Sequence, residues 1–331
     1  MDPARPLRIG TLGAARITPM ALIRPARKLP EAEIVAVAAR DEGRARKFAS
    51  KYGIPRVHAS YDELLADPEI DAVYNPLPNG LHCEWTIRAL DAGKHVLCEK
   101  PIASNEAEAR SMAAAAERTG LVLAEAFHWR YHPLADRMRQ IVTTGALGRV
   151  QHVEASMCLL LPMPNDIRYR FDLGGGGLMD AGCYPVSMVR FLAGAEPEVK
   201  SATARVSSPG VDRWLRAELR FADGRTGRVT CALFSRQFFK FQLRVVGDEG
   251  EMTVLNPVAP QLYHHLTLRN RDGKRRERVK GPASYLGQLR AFVRWVRGGE
   301  PMPTDAAHGI ANMHVIDEIY RAAGLPLRGQ A

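Results

Sequence analysis

Hydrophobic positions in the first part of the chain fall in short runs rich in β-branched side chains. Longer stretches of helical periodicity separate them. The runs predict strands at Leu7–Leu12, Glu33–Ala38, Asp71–Asn75, His95–Cys98 and Leu121–Glu125. The intervening stretches predict helices, among them Gly43–Tyr52, Leu81–Ala92 and Asn105–Arg118, with Ser104 followed by Glu108 as a start signal. Strands alternating with helices build βαβ units, so a parallel sheet with helices on both faces is expected.

After about residue 148 the pattern changes. Gly148–Cys158 alternates as a half-buried strand does. Gly174-Gly175-Gly176-Gly177 then leads into an apolar helical run to Leu192. From Glu198 to about Val279 the chain reads as successive strands, with turn signals at Asp223-Gly224, Asp248-Glu249-Gly250 and Asp272-Gly273. Helical patterns close it at Ser284–Arg297 and Asp305–Ala323. The expected fold class is therefore α/β plus α+β. An N-terminal Rossmann-type doubly wound parallel sheet occupies residues 1–128, and a domain with an open, mostly antiparallel sheet and helices occupies 129–331. A length of 331 residues fits two domains.

Composition narrows the function classes. Hydrophobic residues make up 46% and charged residues 25%, the balance of a globular protein in water. Met1 to Pro6 hold no apolar run that reads as a leader, and no stretch of about 18 apolar residues reads as a membrane span. Cys83, Cys98, Cys158, Cys183 and Cys231 are scattered without metal-ligand spacing, which points to reduced thiols, a cytoplasmic chain and no bound metal. The net charge is +10, yet the cations are dispersed and the densest run, Lys274-Arg275-Arg276-Glu277-Arg278, adjoins a hairpin turn. No nucleic-acid-binding module accompanies that charge, so no nucleic-acid partner is expected; a positive field suits an anionic cofactor.

Four places carry candidate chemistry. The first strand runs into Gly13-Ala14-Ala15-Arg16-Ile17-Thr18 and then a helix, the arrangement that holds a dinucleotide pyrophosphate. Gly13 supplies the tight turn, while Ala15 and Thr18 stand where the usual fingerprint has glycines. The second strand ends at Ala39-Arg40-Asp41. Arg40 in that position can pair a 2′-phosphate, which favours NADP(H) over NAD(H); the alternative is a solvated arginine beside an Asp41 helix cap. The fourth strand ends at Glu99-Lys100-Pro101, where Lys100 can hydrogen-bond a substrate hydroxyl and Pro101 can take a cis bond, although strand-end lysines are commonly surface residues. Asp180 and Tyr184 stand four apart in the apolar helical run and share one face there. A carboxylate and a phenol so placed can orient a substrate hydroxyl and pass its proton, with a cation such as Lys100 to help the phenol. Otherwise they are a buried structural pair.

In this order and spacing the motifs resemble the Gfo/Idh/MocA oxidoreductases over nearly the whole chain. The resemblance rests on Gly13 to Ile17, the Asn75-Pro76-Leu77-Pro78-Asn79-Gly80-Leu81-His82 loop, Glu99-Lys100-Pro101, Trp129-Arg130-Tyr131-His132-Pro133, and Gly175 to Tyr184. It is nearest to the branch of glucose-fructose oxidoreductase, NADP-dependent xylose dehydrogenase and dimeric dihydrodiol dehydrogenase. It implies that Lys100 and Tyr184 share the proton chemistry and that Asp180 orients a sugar, cyclic polyol or trans-dihydrodiol. Arg168 and Tyr169, with Arg170 beside them, are implied substrate contacts. The cofactor side is implied to include Asn75, Pro76, Leu77, Asn79, His82, Glu99, Trp129 and Arg130. His128 reads either as a substrate ligand or as a structural residue. A homodimer or homotetramer is implied, with the second domain's sheet face in the contact. The competing class is a non-catalytic NAD(P)- or sugar-sensing regulator on the same fold.

Overall fold

A computed structural model describes residues 5–163, 165–207, 210–236 and 239–329. The reading of the first four residues as carrying no leader therefore falls outside the described residues. The chain forms two compact units: residues 1–103, 107–128 and 285–310 make the first, and residues 104–106, 129–284 and 311–331 the second. A linear division at 128/129 omits this return of residues 285–310 to the first unit.

The first unit is built on strands β1 (Leu7–Leu12), β2 (Ala32–Ala38), β3 (Arg56–His58), β4 (Ala72–Asn75), β5 (His95–Cys98) and β6 (Leu123–Glu125). All pairings are parallel and the order is β3-β2-β1-β4-β5-β6, the doubly wound arrangement. Helices cover both faces of such a sheet, so its strands read as continuous apolar runs; every residue of β4 is buried. Strand β3 is the exception that periodicity misses. It has three residues, all half-buried, and so neither an apolar run nor an alternation to detect. The order reverses between β1 and β4, and ligands of open α/β sheets bind outside the strand ends at such a point.

The second unit holds β7 (Val150–Cys158), β8 (Glu198–Ser207), β9 (Val211–Arg220), β10 (Thr226–Ala232), β11 (Lys240–Gly247), β12 (Gly250–Leu255), β13 (His265–Asn270) and β14 (Gly273–Glu277). Their order is β14-β13-β12-β11-β7-β10-β9-β8. The pairings are antiparallel except for β7 with β10, which run parallel from Thr226 opposite His152 to Ala232 opposite Cys158. The helix Cys183–Ala193 packs on β7 and β10 with all but one of its side chains buried. The opposite face presents Glu154, Arg216, Arg228, Gln242 and Arg244, partly exposed. This division explains the alternation that the sequence carries.

Candidate active site

In the first unit the loops that follow β1, β4 and β5 leave adjacent strands, with Thr11 paired to Tyr74 and Asn75 to Cys98. Gly13 leaves β1 at φ +90°, its N–H donating to Ala38 O at 2.6 Å. A Cβ there would stand 3.2 Å from Leu77 Cδ2, so conformation and space both call for glycine. Arg16 is exposed and Ala14, Ala15 and Ile17 are half-buried. Thr18 is buried, its Oγ1 has no hydrogen-bond partner, and the helical segment begins at the next residue with a π-helical turn, Pro19–Ile23. A turn without a Cβ, an orphaned hydroxyl and a helix start fit a dinucleotide pyrophosphate.

At the end of β2, Ala39 is buried and Arg40 exposed. The Asp41 carboxylate accepts from Arg44 N at 2.7 Å and caps the helix Glu42–Tyr52. It therefore serves the helix rather than a ribose. Tyr61, which no motif flagged, meets the backbone N–H of Arg40 with its hydroxyl. Burial raises its pKa, while that bond and the charges of Arg40 and Arg44 oppose the shift. Two guanidinium groups thus neighbour this strand end, which suits a phosphate better than a bare diol.

The Lys100-Pro101 peptide is cis, and the turn is held at successive atoms. Glu99 Oε2 accepts from Lys100 N at 3.3 Å, and a His82 ring nitrogen lies 2.9 Å from Pro101 O. Glu125 Oε1 accepts from Ile102 N at 2.8 Å, and Glu125 Oε2 lies 3.0 Å from His308 Nδ1. Glu99 is buried and accepts from the Tyr74 hydroxyl at 2.6 Å; burial raises its pKa, and Tyr74 and Lys100 pull it down. His82 is fully buried, its other ring nitrogen 2.8 Å from Leu77 O. Asn75 donates to His82 O and Thr86 Oγ1 and accepts from Leu77 N. The hydrogen bonds of both residues tie the Asn75–His82 loop together. His128 is buried and stacked on Tyr285 at 3.9 Å between ring centroids. Burial, then the Lys100 charge, lowers its pKa to about 3, so the ring is neutral near pH 7.

In the second unit Asp180 and Tyr184 do not share one α-helix, as the sequence spacing predicts. Asp180 lies in a π-helical turn, Leu178–Gly182, and Tyr184 in the α-helix that starts at Cys183. Turns of this wider kind recur at functional sites. Gly182 lets the turn approach β10, since a Cβ there would stand 2.8 Å from Cys231 Sγ. Asp180 is paired through Oδ2 with Arg168 Nε at 2.9 Å, and Arg168 Nη1 reaches Asp166 Oδ1 at 3.0 Å. These carboxylates hold the Arg168 pKa above its ordinary value. Tyr184 is 4% exposed. Tyr169 donates to Leu161 O at 2.7 Å. Trp129 is buried edge-on to Phe191, and the Arg130 guanidinium stacks 3.6 Å from the same ring, where burial lowers its pKa to about 10.

Sequence reasoning missed the polar residues behind these groups: buried Tyr74 and Glu125 and half-buried His308 in the first unit, and buried Asp212, Tyr320 and Arg328 in the second. Their partners lie far along the chain, 183 residues for Glu125 with His308 and 108 for Asp212 with Tyr320. No local spacing signals such pairs; a carboxylate within an otherwise apolar strand is the one available hint. Among the described residues no helix is long and apolar enough to cross a membrane, and no group of three or more His, Cys, Asp or Glu could hold a metal ion. All five cysteines are free thiols.

Comparison with known proteins gives the same picture. Residues 7–127 match the model of the GFO/IDH/MocA oxidoreductase family with its NAD-binding Rossmann fold, and residues 135–253 match that family's C-terminal domain. D-xylose 1-dehydrogenase (NADP(+)) 2 of Haloferax volcanii is 37% identical over 96% of this chain and 97% of its own. Trans-1,2-dihydrobenzene-1,2-diol dehydrogenase of Mus musculus is 38% identical over 62% of each chain. The crystal structure of a 3-ketoreductase from Actinomadura kijaniata, in complex with NADP and TDP-benzene, superposes with a TM-score of 0.90 at 28% identity, covering 96% of this chain and 98% of that one. All three are named as dehydrogenases or reductases. Motifs, sheet order and these likenesses agree along the length of the chain, which belongs to the GFO/IDH/MocA family of NAD(P)-dependent oxidoreductases.

Proposed function

We propose that the protein moves a hydride between NADP(H) and a hydroxyl-bearing carbon of a sugar, cyclic polyol or trans-dihydrodiol. The observation that carries the substrate side is the Arg168-braced Asp180 carboxylate on the turn that leads into Tyr184. Arg40, with Asp41 committed to its helix, supports NADP(H) over NAD(H). The cofactor, when bound, supplies the hydride acceptor or donor. In the oxidation direction Tyr184 acts as its phenolate: it takes the substrate hydroxyl proton as the carbinol hydrogen departs with its electron pair to the hydride acceptor. Lys100 holds that hydroxyl and favours loss of the proton by its charge. Asp180 accepts from a neighbouring hydroxyl and fixes which carbon reacts. Gly13 to Ile17, the Asn75 to Asn79 loop and Glu99 serve the cofactor, and Arg168 and Tyr169 the substrate. The same reading makes the protein a cytoplasmic homodimer or homotetramer.

The test is fluorescence titration with NADPH and NADH, followed by D-xylose, D-glucose and trans-1,2-dihydrobenzene-1,2-diol with NADP+. Tighter NADPH binding is expected, with turnover of a panel member that falls by about 100-fold or more in Tyr184→Phe while NADPH affinity holds. Undiminished turnover in Tyr184→Phe would remove the phenol from the reaction.

A further inference from the structure

The glycine-rich run before the Asp180 turn is packed against a charge cluster that no motif identifies. Asp212, at the start of β9, is fully buried. Its Oδ2 accepts from Leu178 N at 2.7 Å, and its Oδ1 accepts from the Tyr320 hydroxyl at 2.9 Å and Arg328 Nη2 at 3.0 Å. Arg328 is also fully buried, and its Nε donates to Gly175 O at 2.6 Å. Its guanidinium lies 4.3 Å from the Tyr320 ring centroid and 4.7 Å from that of Phe171. The backbone between these anchors is held from the other side. Gly175 N donates to Arg170 O at 2.8 Å, Gly176 N to Arg168 O at 2.9 Å, and Asp180 N to Gly176 O at 2.9 Å. Arg168, whose carbonyl is thus fixed, is the residue that pairs with Asp180 through its side chain.

Resting on the function proposed above, we infer that Asp212 and Arg328 are positioning residues for the reaction: their buried ion pair clamps Gly175 to Leu178 and so fixes the turn that carries Asp180. A buried ion pair is a poor device for stability alone, because desolvation offsets most of its attraction. Two directed hydrogen bonds from the pair to one glycine-rich segment, at Gly175 O and Leu178 N, give it a second use, the setting of one geometry out of the many that glycines allow. Neither residue touches the reacting atoms. Displacing a catalytic group by about 1 Å costs on the order of 100-fold in rate, and that is the scale of effect expected.

The test uses the full chain with Arg328→Ala, Tyr320→Phe and Asp212→Asn. Arg328→Ala should lower kcat on the panel substrate by about 100-fold with NADPH affinity within about twofold, and added guanidinium ion should recover about tenfold of the loss. Tyr320→Phe, the mildest change, should lower kcat by several-fold at unchanged KM for NADP+. Amide hydrogen exchange gives a readout that needs no substrate: the peptide spanning residues 175–184 should lose protection in Arg328→Ala while peptides of β10 and β11 keep theirs. Unchanged protection there, or wild-type kcat in Arg328→Ala beside a disabled Tyr184→Phe, would overturn the clamp alone. Wild-type activity in Tyr184→Phe would instead overturn the functional reading. If Arg328→Ala and Asp212→Asn fail to fold while Tyr320→Phe matches wild type in kcat and in exchange, the cluster serves stability and the inference is wrong.

Discussion

Arg40 shows how little separates two cofactor preferences at the level of one side chain. A carboxylate at the end of β2 would accept from the ribose hydroxyls of NAD(H); here the position is Ala39, the next residue is an exposed arginine, and Asp41 is bound to Arg44 N. A charge-assisted hydrogen bond to a phosphate contributes roughly 1.5–3 kcal/mol. Arg40→Ala should therefore weaken NADPH by about 10- to 100-fold and leave NADH within about twofold, as read by fluorescence titration. Equal loss for both nucleotides would mean that Arg40 does not discriminate between them. Arg40 and Lys100 could be singled out from the sequence because residue type and strand-end position point to their chemistry. Asp212 and Arg328 were not, since neither stands at a motif and each acquires its meaning from the other.

The elements differ in how openly they announce themselves. Parallel strands covered on both faces gave unbroken apolar runs that placed five of the first unit's strands, while in the second unit alternation placed β7 and showed only a succession of strands from Glu198 onward. Strand β3 could not be placed, nor could the parallel pairing of β7 with β10, which depends on sheet order and not on local pattern. The π-helical turn at Leu178–Gly182 was also hidden, because a carboxylate and a phenol four apart look the same on an α-helix. What shapes that turn lies before it: Gly176 has φ +147°, and a Cβ on it would stand 2.4 Å from Asp212 Oδ1 and 2.6 Å from the Tyr320 hydroxyl. Gly176→Ala should lower stability by roughly 2–4 kcal/mol through backbone strain and overpacking together. Urea unfolding measures this, and a midpoint equal to wild type would show that the turn can relax.

Across the whole molecule, buried histidines set the response to acid. Burial lowers the pKa of His82 to about 4, of His128 to about 3 and of His132 to about 4. In the unfolded chain each takes a proton near its ordinary pKa of about 6.5. The unfolded state thus binds more protons as pH falls from about 6.5 toward 4, and stability declines through that window. Asp317, raised by burial to about 6, works the other way between about 4 and 6. The net expectation is a loss of stability between pH 7 and 4, opposed also by Glu99 and Asp212, whose pKa values burial raises, and checked by urea unfolding across that range; a flat profile would show that the histidines protonate in place. The return of residues 285–310 to the Rossmann unit has a different reach. Tyr285 stacks on His128, Thr304 exchanges hydrogen bonds with the Glu125 backbone, and Arg297 reaches Arg5 O at 2.7 Å. The nucleotide-binding half is thus not a contiguous cassette. A recombination or graft that exchanges the first 128 codons alone would leave a gap in that half, so the two halves have to be re-engineered as interleaved pieces of one reading frame.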